Sequence, residues 1–295
     1  MNGPSLSGVA LVLVAAVLWG TTGTAQSLAP AGLSPYWTGA LRLAVASVFF
    51  AALALATRRG RGSAPWPRSL ALAAAVCVAS YNLSFFAGVK SAGVALGTAL
   101  AIGSGPIWAG LLQTIWQRRL PPALWWLGTL LGVAGGAAMV LDGRGAATSA
   151  PLAGIALCLL AGLSYAGYAL VNQRLVAQVG AARANLAAFG GAALLALPVA
   201  LVLADVPAPQ PGTWAVVAYL GLVATGVAYL LFSTALRRIS GATAVTLALA
   251  EPVTAFALAI VIVGERPGGM AFAGLAAVLS GLLIVVVAEL RAARA

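Results

Sequence analysis

The sequence predicts an all-α integral membrane protein: ten transmembrane helices, arranged as two inverted five-helix repeats around a central cavity. Three observations carry this. Of 295 residues, 62% are hydrophobic and only 7% charged, and mean hydropathy is +1.03; a soluble domain carries about 25% charged residues. The chain also repeats itself, a feature sought first because it decides the architecture. Adding 146 to Pro106, Pro121, Gly128 and Gly135 gives Pro252, Pro267, Gly274 and Gly281 without a gap, and Gly8-Val9-Ala10-Leu11 returns as Gly154-Ile155-Ala156-Leu157. Finally, arginine crowds into alternate loops.

Apolar runs of about 20 residues can cross a bilayer. Polar breaks mark them at 5–28, 35–57, 66–89, 92–117 and 121–141, then at 150–173, 184–204, 212–236, 241–263 and 267–289. The halves are 1–145 and 146–295, together one transmembrane domain. With the N-terminus in the cytoplasm, the inner loops hold twelve basic residues: Arg58, Arg59, Arg61, Arg68, Arg118, Arg119, Arg174, Arg183, Arg237, Arg238, Arg291 and Arg294. The outer loops hold three, Lys90, Arg144 and Arg266. This positive-inside bias places both termini in the cytoplasm of a bacterial-type inner membrane. Five spans per repeat then force the halves into opposite orientations, with a site expected near the midplane between them. The net charge of +11 does not point to nucleic acid, because the basic residues sit in short clusters between apolar runs.

In chain order, the first run lacks the basic flank of a signal peptide and has a mid-chain counterpart, so it is read as a helix containing Trp19. In the second, Arg42 lies about two turns in, roughly 10 Å from Pro35; it either snorkels to the outer headgroups or faces the interior. The third carries Tyr81, Asn82 and Phe85 near its middle. They either line the cavity or form a buried aromatic pair with an amide bond between helices. The fourth has Gly103-Ser104-Gly105-Pro106 and then Trp108, with a helix break expected at Pro106. Six of the eight tryptophans fall at span ends, as an interfacial belt would; Trp19 and Trp108 do not. Gly128, Gly132 and Gly136 of the fifth span form a small-residue ridge for close packing.

In the second half, Tyr165, Tyr168 and Asn172 form one helical stripe, and Tyr229 follows in the eighth span. Glu251, beside Pro252, is the one acid inside a predicted span. It is either a functional carboxyl or a group that satisfies backbone freed by a second break at Pro252.

The absences exclude whole classes. There is no histidine for a zinc protease or proton relay, no phosphate-cradling glycine loop, and Cys77 and Cys158 form no framework. No metal, no cofactor and no catalytic set is expected, so the chain is not read as an enzyme.

Each repeat ends in Pro, a short turn with Pro, and Gly-x6-Gly. Together with Leu249-Ala250-Glu251-Pro252-Val253 and Val263-Gly264-Glu265-Arg266, this resembles the EamA-type repeat of the drug/metabolite transporter superfamily over essentially the whole chain. The first half departs from it, with Gly105-Pro106 and Arg118-Arg119 at the matching places. The likeness extends to the aromatic amino-acid exporter branch. It implies export of aromatic and other neutral amino acids by alternating access. Trp19, Tyr81, Phe85, Trp108, Tyr165, Tyr168 and Tyr229 are the candidates to line the substrate cavity, with Asn82 and Glu251 as polar contacts. An exporter of amphipathic cations, with Glu251 as counter-ion, and a non-transporting scaffold or sensor are the alternatives. A scaffold would bond its midspan polar groups to one another.

Overall fold

A backbone in hydrocarbon must satisfy its own hydrogen bonds, so apolar runs of this length fold as helices. The computed structural model describes residues 3–27, 33–57, 66–118, 120–142, 151–206, 210–264 and 266–293; the expected junction of the halves at 145/146 lies outside them. The helices are α1 (Gly3–Gly20, resuming as Thr22–Ser27), α2 (Pro35–Ala56), α3 (Arg68–Ala92), α4 (Val94–Gln117) and α5 (Ala123–Leu141). The second half contributes α6 (Leu152–Val179), α7 (Ala181–Leu203), α8 (Pro211–Tyr219, Leu220–Val227 and Ala228–Ala235), α9 (Gly241–Leu247, Ala250–Leu258 and Ala259–Val263) and α10 (Gly269–Ala292). Among the described residues nine rods are long and apolar enough to cross a membrane, and the 24-residue α4 is a further helix. Two corners, α3–α4 and α6–α7, are single glycines, Gly93 at φ 86° and Gly180 at φ 81°. A side chain there would strain the left-handed backbone.

The repeat is a symmetry of packing. A two-fold operation exchanging α1–α5 with α6–α10 maps α3–α6 contacts onto α8–α1 contacts, and α3–α7 onto α8–α2; all four pairs pack together. α2–α7 and α5–α10 map onto themselves and are among the most extensive contacts. At α5–α10 the glycines that define the sequence repeat meet. A Cβ on Gly128 would lie 2.7 Å from the Gly281 carbonyl, and one on Gly135 would lie 2.6 Å from that of Gly274. Since Gly128 matches Gly274 and Gly135 matches Gly281, each repeat presents the same two glycines to the other, and the matched helices run antiparallel. This is the isologous contact of a two-fold axis. The buried ridge is Gly128, Gly132 and Gly135; Gly136, expected in it, has nothing within 4 Å of a Cβ.

The halves differ in winding. α4 runs unbroken through Pro106, where a break was expected. The proline removes one N–H bond and its ring presses on the preceding turn; Gly103 and Gly105 leave that turn room. α9 does break, but at Ala248–Leu249, and Pro252 sits in the first turn of the next segment, where its N–H is not needed. α8 widens into a π-helix over Leu220–Val227, and the Thr225 hydroxyl donates to the Leu220 carbonyl at 2.7 Å, five residues back.

Tryptophan positions also divide. Trp66 and Trp116 are exposed near the end of the bundle that carries both termini, where Arg183 and Arg174 stand 5.8 and 3.9 Å over their rings. Trp37 and Trp125, expected in the same belts, are buried, and the Trp37 indole donates to the Ala204 carbonyl at 3.3 Å.

Candidate functional site

Aromatic side chains from both halves meet at the centre. Trp19 of α1 lies 4.9 Å from Tyr229 and 6.5 Å from Tyr165 between ring centroids. Tyr165 is 5.9 Å from Tyr81, which stacks on Phe85 at 5.7 Å. Tyr168 joins through Tyr229 at 5.8 Å. Six of the expected residues therefore form one continuous aromatic cluster. Phe232 and Phe189 extend it: Phe232 lies 5.5 Å from Trp19 and 6.1 Å from Tyr165, and Phe189 lies 4.6 Å from Tyr229. Phe232 sits three residues after Tyr229, on the same helical face, which is the signal that would have found it. Trp108 packs against the same core as Trp19 and Tyr168, but no ring contact links it to the cluster among the described residues.

The polar groups around these rings are of two kinds. One set bonds to itself. Asn172 of α6 donates to Ser233 at 2.9 Å and to the Tyr168 hydroxyl at 3.0 Å. Ser233 and Tyr168 both donate to Asn185 Oδ1, at 2.7 and 3.2 Å, and the Asn185 amide donates to the Tyr229 carbonyl at 3.0 Å. This network ties α6, α7 and α8 together in the interior and fixes Tyr229. Tyr168, 1% exposed, is part of it.

The other set has nothing to bond. Trp19 Nε1, Arg42 Nε, Asn82 Nδ2, Ser104 Oγ, Trp108 Nε1 and Tyr165 Oη are buried without a hydrogen-bond partner among the described residues, as are Asn172 Oδ1 within the network and Trp125 Nε1 outside the centre. Each such group costs roughly 1–3 kcal/mol. The first six come from five helices, α1, α2, α3, α4 and α6, and from both halves. The Ser104 hydroxyl lies against Gly162, one turn from Tyr165, and Asn82 lies against Gly39, one turn from Arg42.

Glu251 is brought to this centre by close backbone approach, since a Cβ on Gly20, next to Trp19, would lie 2.7 Å from the Glu251 carbonyl. It is within electrostatic range of Arg42, Tyr81, Tyr165 and Tyr229. A Cβ on the matching residue of the first half, Gly105, would lie 3.4 Å from the Tyr165 ring, so the carboxyl has no counterpart in the first half.

The α8–α9 corner is tied into the bundle. The first segment of α9 touches α4 and α6, while its second segment packs on α1 and α10. Side chains secure the α8–α9 corner at the end carrying the termini. Glu289 accepts from the Thr243 hydroxyl at 2.6 Å and from Ser240 N at 3.2 Å, Gln113 accepts from Ala242 N, and Gln173 donates to the Leu236 and Ile239 carbonyls. A cavity of about 420 Å³ lies beneath this corner, lined by Gln113, Trp125, Gln173, Arg237 and Glu289, away from the aromatic cluster.

A pseudo-two-fold helical bundle, with unpartnered polar groups and aromatic rings between its halves, defines a multi-pass membrane transporter. Comparison with known proteins agrees. The model of the EamA-like transporter family matches the chain twice, over residues 6–141 and 152–287. An uncharacterized transporter of Bacillus subtilis (strain 168), YwfM, is 36% identical over 275 residues, covering 93% of this chain and 92% of that protein. A solved crystal structure shares the fold, with a TM-score of 0.81 at 21% identity over 95% of this chain and 98% of that one. The chain belongs to the EamA-like transporter family.

Proposed function

We propose that the protein exports amino acids, aromatic and other neutral ones, across the inner membrane by alternating access, with both termini in the cytoplasm. The observation that carries this reading is the pairing of buried, unpartnered polar atoms, those of Trp19, Arg42, Asn82, Ser104 and Tyr165, with a continuous aromatic surface at the interface of the repeats. A scaffold has no reason to carry that cost, and its polar groups would bond one another as Asn172, Asn185 and Ser233 do. The aromatic rings suit an apolar or aromatic side chain, and the unpartnered donors suit a polar head group.

In the proposed orientation the α8–α9 corner closes the cytoplasmic end. Export then requires the halves to exchange packing, so that the corner releases and the opposite end closes. Flux into proteoliposomes of purified protein tests the reading, with a panel of neutral amino acids beside lipophilic cations. The proposal expects saturable amino-acid flux that bulky neutral amino acids compete for. Flux of the cations alone would reassign the site to amphipathic drugs, and no flux from a folded, monodisperse protein would favour the scaffold.

A further inference from the structure

We propose that Arg42 and Glu251 form a split charge pair that selects zwitterions, Arg42 receiving the carboxylate and Glu251 the ammonium of one amino acid whose side chain lies among Trp19, Tyr81 and Tyr229. This rests on the export reading above and narrows its substrate class.

Arg42 was open, from sequence, between the outer headgroups and the interior. The structure turns it inward: its Nε is buried and unpartnered, and it is within electrostatic range of Tyr81, Tyr229 and Glu251. Arg42 and Glu251 are the charged side chains among the central aromatics. They belong to different halves, and the helix that carries each is held by a close contact with a helix of the other half. A Cβ on Gly221, in the π-segment of α8, would lie 3.2 Å from the Arg42 carbonyl, as one on Gly20 would lie 2.7 Å from that of Glu251. Yet no hydrogen bond or ion pair joins the two among the described residues.

A charge drawn away from bulk water is stabilised when paired and hydrogen-bonded. Arg42 and Glu251 are each half-buried and do not touch one another, and a zwitterion supplies a partner to both at no net charge. A cation would satisfy Glu251 and leave Arg42 facing added positive charge; an anion would do the reverse. The site would therefore discriminate by the ligand's charge pattern, and the rings would tolerate different side chains. Broad specificity for side chains and strict specificity for the head group then follow from one arrangement.

The test is binding to wild-type protein in detergent, read by tryptophan fluorescence, with L-phenylalanine, 2-phenylethylamine and 3-phenylpropionate. These share one aromatic tail and carry both charges, the cation alone or the anion alone. Loss of a charge-assisted contact predicts affinity about ten- to a hundredfold weaker for either single-charge analogue. Arg42→Gln should lose phenylalanine while losing little of the amine, and Glu251→Gln should lose phenylalanine while losing little of the acid. Equal wild-type affinity for all three ligands would overturn the charge pair while leaving an aromatic export site intact, as would variants that weaken all three in the same proportion. If none of the ligands binds a folded protein, the export reading falls with it. The wild-type comparison needs no variant to fold.

Discussion

Replacing Gly135 with alanine puts a single methyl group at the pseudo-two-fold axis. The added Cβ would stand 2.6 Å from the Gly274 carbonyl oxygen, 2.7 Å from Val278 N and 2.9 Å from Ala277 Cβ. The nearest two are backbone atoms, which cannot rotate away. Ordinary contact lies near 3.5–4.0 Å, so α5 and α10 must separate locally by about 1 Å. Overpacking of this kind costs about 1–3 kcal/mol. Gly136 supplies the control, because a Cβ there meets nothing within 4 Å, and alanine is favoured over glycine within a helix by about 1 kcal/mol. Thermal unfolding of the purified protein in detergent should show Gly135→Ala clearly destabilised and Gly136→Ala unchanged or stabilised. Gly274→Ala should resemble Gly135→Ala, and the two together should cost less than their sum, since both push the same contact apart. Equal losses at 135 and 136, or full tolerance at 135, would refute the packing axis.

Other consequences can be checked alongside. Asn185→Leu removes the acceptor shared by Ser233 and Tyr168 and the donor to Tyr229, so unfolding should show a loss of at least about 1–3 kcal/mol. Glu289→Ala releases Thr243 and Ser240. A cysteine at Ala244, buried in the α8–α9 corner, should then become reactive from the end carrying the termini in a Cys77- and Cys158-free background, and unchanged reactivity would count against the corner as a latch. Membrane-impermeant labelling of intact cells should reach cysteines at the exposed Val206 and Leu152 but not at Arg118 or Arg237; the reverse would invert the proposed orientation.

Most of the architecture is legible in the sequence because its cause is local. Long apolar runs set the spans, and Gly128 and Gly135 with their partners 146 residues on mark the axis because backbones can touch only where side chains are missing. The winding of α8 is not legible, since Thr225 bonds back five residues instead of four. The break of α9 is, because it opens at Ala248–Leu249, where Pro252 has no N–H for the Ala248 carbonyl four residues back and its ring presses on it. At the site, the aromatic types and their midspan positions announce a cluster. Sequence cannot divide the Tyr165, Tyr168, Asn172 stripe, because Tyr168 and Asn172 find partners on α7 and α8, elements far away in the chain, while Tyr165 one turn earlier finds none. Arg42 was ambiguous for the same reason: its destination depends on α8 and α9, not on its neighbours in sequence.

The central claim is that the unpartnered polar atoms belong to substrate, and Tyr165→Phe tests it most directly. The substitution removes one buried hydroxyl that has no protein partner and keeps the ring that contacts Trp19, Tyr81 and Phe232. Removing an unsatisfied hydroxyl should leave thermal stability unchanged or raise it by up to roughly 1–3 kcal/mol. Phenylalanine flux in proteoliposomes, measured beside that stability, should fall severalfold in the variant. Flux equal to wild type from an equally stable protein would contradict the account.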